Sequence, residues 1–230
     1  MSDLENLDRT VSMYQALRPD LTVATVTGYN CCLEDPTENI TSETPPKALP
    51  TDSELITIDE YLGDYRPAER IIRVFTQNVA KAAQLLDCDM NALQYVVRYH
   101  EQAHAGIHLG TTRPDRVKAL QDQAHMDARI NELTARYNTI DPALHEHLAQ
   151  LVTYHTIRRL STIPDAPLVT NASSKMMDAF TKLLTRQPPQ YRVEPYLDRS
   201  LPRIQGTISL IKRGMLVGQI DVWKEVMGWE

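Results

Sequence analysis

The run His100-Glu101-Gln102-Ala103-His104 constrains this chain more than any other feature. Two histidines four residues apart project from one face of a helix about a turn apart, so both imidazoles can reach one Zn²⁺ at roughly 2.0–2.1 Å. Glu101 then stands one position round, placed to take a proton from the metal's water as that water attacks a carbonyl carbon. With 7 histidines in 230 residues, the pentapeptide arises by chance about one time in a hundred. Its surroundings read as helix. Leu93, Val96, Val97, His100, His104 and Ile107 recur at spacings of three and four, Asp89 is an N-cap, and the element runs from about Asn91 to Leu109 before Gly110. The motif therefore lies on a buried face, and the alternative to metal binding is a purely structural helix.

Composition excludes several classes. An apolar fraction of 42% and a charged fraction of 23% are ordinary for a soluble globular chain. No apolar run is long enough to span a bilayer, and the first residues, MSDLENLDRT, do not read as a secretory signal, so the expected compartment is the cytoplasm. Cys31, Cys32 and Cys88 are odd in number, which argues against a disulfide framework. The net charge of −6 is concentrated in residues 33–54, where Glu34, Asp35, Glu38, Glu43, Asp52 and Glu54 face only Lys47. The remainder is near neutral and offers no basic footprint for nucleic acid or an anionic membrane.

Four segments follow from these patterns. Residues 1–32 form a short N-terminal piece, and the acidic, proline-rich 33–54 reads as a disordered linker. Residues 55–165 read as the metal-binding core, and 166–230 as a C-terminal extension. In the core, Arg70 to Thr76 reads as a strand, Val79 to Leu86 as a helix, and 115–137 as another. Asp141-Pro142 is an N-cap with proline at the first helical position, opening a helix that should run to about Leu160. Beyond it, Lys175 to Leu184 reads as a helix, and Gly206–Leu210 with Leu216–Val222 as a hairpin. Trp223, Val226, Met227 and Trp229 either cap the domain's own core or dock on a protein partner. The fold class expected is α+β, predominantly helical, with a small sheet flanking the motif helix.

Zinc in a catalytic site takes a third protein ligand and leaves the fourth position open. Glu146, His145, His147, His155 and His108 are the candidates. On the 141–160 helix, Leu144, Leu148, Leu151 and Val152 form one apolar face, while Glu146, Gln150, Thr153 and Ile157 form a second stripe and His145, Ala149, Val152 and Thr156 a third. Periodicity cannot choose among them. Tyr154 and His155 are candidates to donate to a developing oxyanion. A thiolate from Cys31-Cys32 could fill the open position and hold the site latent.

Three stretches, IIRVFTQNVAKAAQLL, LQYVVRYHEQAHAGIHLG and LHEHLAQLVTYHTI, together resemble zincin metallopeptidases of the gluzincin type, over about residues 65–160. The resemblance implies a zincin-like core in which His100, His104 and Glu146 hold one zinc ion per chain. It also implies that Glu101 is the general base and that a peptide or protein is the substrate. No longer gluzincin signature is present. The metzincin pattern fails on spacing, because His108 falls eight residues after His100 rather than ten. A non-catalytic scaffold of the same form, with structural zinc or none, is the alternative.

Overall fold

The computed structural model describes residues 3–41, 45–49, 55–112, 123–164, 166–188 and 191–214. The eight α-helices among them are α1 (Asp3–Leu17), α2 (Val23–Val26), α3 (Thr76–Leu86), α4 (Met90–Leu109), α5 (Gln123–Tyr137), α6 (Pro142–Leu160), α7 (Pro167–Thr185) and α8 (Leu201–Lys212). The strands are β1 (Cys31–Cys32), β2 (Thr37–Thr41), β3 (Gly63–Arg66), β4 (Ile71–Phe75) and β5 (Gly110–Thr111). The chain is a predominantly helical α+β fold with a small sheet. No helix among the described residues is long and apolar enough to cross a membrane.

The helix carrying the HExxH run, α4, is the axis of the molecule. It packs against α2, α3, α5, α6 and α7 and, on another side, against β3 and β4. Its start is fixed chemically: the Asp89 side chain accepts a hydrogen bond from Ala92 N at 3.0 Å, satisfying one donor that a helix start leaves open. Asp87, left-handed at φ 50°, ends α3 and turns the chain into α4 within three residues. α6 begins as its sequence dictates, with Asp141 accepting from Ala143 N at 2.8 Å and Pro142 in the first turn. Leu93, Val96, Val97 and Ile107 of α4 share one core with Leu144, Leu148, Leu151 and Val152 of α6 and Ile72 and Val74 of β4. Leu148 is wholly buried, and emptying such a site to alanine costs about 2–5 kcal/mol.

The three-stranded sheet runs β2-β4-β3. β3 and β4 form an antiparallel hairpin, and β2 lies parallel to β4 from Thr37↔Ile71 to Thr41↔Phe75. Residues 37–41 therefore belong to the sheet, within a segment whose composition reads as a disordered linker. Thr37, Ile40 and Thr41 are β-branched and suit a strand. The charge that suggested disorder is partly neutralised at Glu38, which accepts from Arg98 Nε at 2.6 Å and from Gln102. Residues 42–44 and 50–54 lie outside the described residues.

The expected hairpin is also corrected. Gly206–Leu210 lies inside α8, because Ile204, Thr207, Ile208 and Ile211 recur at three and four and are all buried. Its other arm, 216–222, and Trp223, Val226, Met227 and Trp229 lie outside the described residues. The helix expected from Lys175 begins earlier, at Pro167, which occupies its first turn. Of the helix expected over 115–137, the described part is α5, and 115–122 fall outside.

Candidate metal centre

Two helices and one short turn meet at the centre of the fold. His100 and His104 present their Nε2 atoms from α4, 3.1 Å apart. Glu146 from α6 straddles them, with Oε2 3.2 Å from His100 Nε2 and Oε1 3.4 Å from His104 Nε2. The fourth member is Asp59, on a single π-helical turn, Ile58–Leu62, that leads into β3. Its Oδ1 lies 3.5 Å from His100 Nε2 and 3.7 Å from His104 Nε2. One donor atom from each of the four lies within 4.8 Å of all the others, and the group could hold a metal ion.

Two observations test that fit. Ligands at 2.0–2.1 Å in a tetrahedron stand about 3.3 Å apart; the approaches to the two histidines, 3.1 to 3.7 Å, lie near that edge, counting either oxygen of Glu146, and one donor from each of the four lies within 4.8 Å of the rest. The charge balance points the same way. Asp59, Glu101 and Glu146 are three carboxylates that act electrostatically on one another, whereas His100 and His104 could supply at most two positive charges. Their effects are mutual. Asp59 is pushed up to about 6, first by loss of hydration and then by the Glu146 carboxylate. Burial alone would raise Glu146, but hydrogen bonding with Asp59 and the two histidines outweighs it and holds the carboxyl well below the usual range. Burial opposes the charge on His100, yet Glu146 and Asp59 hold its pKa well above 6.5. A divalent cation here would supply the missing positive charge.

Glu101 is wholly buried, and neither carboxylate oxygen has a hydrogen-bond partner among the described residues. Desolvation, followed by the Asp59 carboxylate, raises its pKa well above the ordinary range. Room for it comes from Gly63, the first residue of β3. A β-carbon there would lie 3.2 Å from Glu101 Oε1 and 2.8 Å from both Arg73 O and Val97 Cγ1. The strand thus approaches the motif helix where the carboxylate stands.

Behind the cluster, aromatic and hydroxyl groups hold the histidines. His104 Nδ1 is hydrogen-bonded to the Tyr137 hydroxyl at 3.0 Å, and a metal on Nε2 would leave the proton on Nδ1 to donate to it. Such a partner fixes the ring and its tautomer. His145 packs on Tyr137, with ring centroids 4.0 Å apart, and its Nε2 donates to the Tyr137 carbonyl at 2.9 Å. His108 is bonded through Nδ1 to the Tyr65 hydroxyl at 2.8 Å and through Nε2 to Thr134 Oγ1 at 2.9 Å.

His100, His104 and Glu146, the set that the resemblance implies, are brought together with Asp59, while His108 and His145 are spoken for in the surrounding layer. His147 stacks near Tyr196, and His155 near Tyr154. Tyr154 is not brought to the cluster. It lies eight residues beyond Glu146, about 12 Å further along the axis, with its ring against His155 and Phe180. Tyr137 is a tyrosine that touches the site, through His104. The cysteine pair is also elsewhere. Cys31 and Cys32 pair with Thr111 and Gly110, beyond the C-terminal end of α4, and burial pushes the Cys32 thiol up to about 12. Asp59 is the member that sequence reasoning missed, since it stands 41 positions before His100 with no spacing rule to link them.

Fold and site together define a helical α+β protein built round a His/His/Glu/Asp group, three of its members buried, able to take a metal ion. No protein-family model matches the chain, and neither a curated protein nor a solved structure matches it.

Proposed function

We propose that the chain is a zinc-dependent hydrolase acting on peptide bonds, with His100, His104 and Glu146 as ligands and Glu101 as the general base. Two imidazoles and carboxylate oxygen at tetrahedral spacing suit zinc among the common divalent ions. The observation that carries the reading is Glu101: a carboxylate buried next to a metal-ligating histidine, with neither oxygen hydrogen-bonded. Leaving such a group unpaired is expensive, and a purely structural metal site has no use for it.

When bound, the metal supplies Lewis acidity, polarising a carbonyl oxygen and making water a better nucleophile at neutral pH. The chain's own residues do the rest. Glu101 takes the proton from attacking water and returns it to the departing amine, a role for which a raised pKa is suited. Tyr137 keeps the His104 ring in register, and Gly63 leaves the Glu101 carboxylate space to change partners. The likeness to gluzincin-type metallopeptidases, with their zincin core, supports a peptide as substrate and Glu146 as third ligand.

One observation favours the alternative of a non-catalytic, structural metal site. Asp59 supplies a fourth donor, and structural zinc sites are closed by four protein ligands. Glu101→Gln separates the two readings. An enzyme keeps its metal and loses about 100-fold or more of its hydrolysis of a mixed peptide library followed by mass spectrometry. Equal cleavage by both proteins would refute the role of Glu101, and metal retained without cleavage in either would leave the scaffold reading.

A further inference from the structure

The four donors are not equivalent. His100, His104 and Glu146 project from the long core helices α4 and α6 and are almost wholly buried, with side-chain exposures of 0, 3 and 8%, whereas the Asp59 side chain is 42% exposed. Asp59 also makes the two longest approaches, 3.5 and 3.7 Å. It is the member facing solvent, and hence the side from which a substrate can arrive.

The turn that carries it is anchored on both sides of the aspartate. Ile58 and Leu62 are buried at 1 and 0%, Asn78 Nδ2 donates to Tyr61 O at 2.8 Å, and the Gly63 N–H closes the turn on Ile58 O. Glu60 is exposed and accepts from Thr57 Oγ1 at 3.0 Å and Lys47 Nζ at 3.1 Å, while Asp59 reaches the cluster from the solvent side with its side chain 42% exposed. A rotation about the Asp59 side-chain bonds can therefore carry its carboxylate from the cluster into water without unseating the turn. Such a move exchanges one ligand oxygen for hydration of a carboxylate whose side chain already borders solvent. The three buried ligands remain, which is the number a catalytic zinc keeps.

From this asymmetry we infer that Asp59 is a displaceable fourth ligand: it closes the coordination shell in the resting chain, and its withdrawal opens the single position the chemistry needs. This rests on the metal-hydrolase reading above and joins its two competing observations. A closed shell and an unpaired Glu101 are the two halves of a site that is latent until Asp59 leaves. The latch is local. It resides in the turn that feeds β3, and neither cysteine takes part.

The test is made on the Co²⁺-loaded full chain, whose visible absorption reports the coordination shell, titrated with azide as a small anionic ligand. If Asp59 holds the position closed about 90% of the time, its removal should tighten azide binding about tenfold. The wild type should resist azide, Asp59→Ala should bind it at least that much more tightly while keeping its cobalt, and Asp59→Asn, which preserves volume but coordinates weakly, should fall between. Equal azide affinity in wild type and Asp59→Ala would overturn the proposal. So would Asp59→Asn behaving as wild type, since bulk rather than coordination would then block the site, or loss of cobalt from Asp59→Ala, since the aspartate would then be an indispensable ligand. Absence of the bound-cobalt spectrum from all three would refute the metal reading itself, a result distinct from these.

Discussion

Gly63→Ala puts the packing beneath the proposed general base to a quantitative test. Gly63 has φ −162° and ψ 176°, extended backbone that alanine adopts without strain. The cost is therefore collision alone. The added β-carbon would stand 2.8 Å from Arg73 O, on the paired strand, and 2.8 Å from Val97 Cγ1, on the motif helix. Ordinary carbon contacts lie near 3.5–4.0 Å, so β3 and α4 must separate by several tenths of an ångström. Overpacking of this kind costs about 1–3 kcal/mol, and the reduced freedom of the unfolded chain returns about 0.4–1 kcal/mol. A net loss of about 1–2 kcal/mol lowers Tm by about 2–8 °C in a chain of this size. The methyl also presses on Glu101 Oε1, which it would meet at 3.2 Å. Misplacement by a fraction of an ångström should cost about tenfold in kcat/KM. Metal content should not change, because the histidines and Glu146 do not touch the new atom. Thermal denaturation, elemental analysis and peptide cleavage on the same preparation read all three quantities. An unchanged or raised Tm would refute the close approach of β3 to α4, and loss of metal would refute the separation of base from ligands.

Two further perturbations reach the layer behind the cluster. Tyr137→Phe keeps the ring but leaves His104 Nδ1 without its hydroxyl, so zinc affinity in a chelator competition should fall about 10–100-fold; an unchanged affinity would mean that the hydroxyl does not orient the ligand. His108 concerns acid stability. Burial pushes its pKa down to about 3, below its unfolded value, so the unfolded chain binds more protons between about pH 6.5 and 3, and the stability present above 6.5 is lost as pH falls through that window. His108→Gln should reduce the slope of unfolding free energy against pH there by up to about 1.4 kcal/mol per unit, while costing about 1–3 kcal/mol at neutral pH because glutamine cannot bridge both hydroxyls. Denaturant titrations at pH 7, 6, 5 and 4 would show it, and an unaltered slope would contradict a neutral, buried His108.

Local chemistry was the part of this molecule written plainly in the sequence. Asp89 and Asp141 cap α4 and α6 as their spacing requires, and the i, i+4 pair His100/His104 meets at one point, because these relations need only a single helix. α6 shows where that reasoning stops. From Leu144 to Thr153 every residue is buried, so no face is distinguished by polarity, and Glu146 could not be separated from His145 by periodicity. Its selection depends on the angle at which α6 crosses α4, a tertiary quantity. Asp59 is illegible for a stronger reason, since its approach to the histidines exists only once the turn before β3 has docked. Thr37–Thr41 was hidden by composition: an acidic, proline-rich stretch reads as linker until Glu38 is seen neutralised by Arg98 and the strand paired to β4. The α8 error is of another kind, because the Ile204, Ile208 and Ile211 spacing was present and Gly206 within it and Gly214 beyond it suggested turns.

The most direct test of the central claim is the metal content of the wild type and of Glu146→Ala, purified identically and dialysed against zinc. A centre formed by the buried His100, His104 and Glu146 with Asp59 at its solvent side should hold about one zinc per chain in the wild type, as a tetrahedral site does, and lose most of it when the Glu146 carboxylate is removed. A wild type that remains metal-free after zinc addition, or a variant that keeps its full complement, would contradict it.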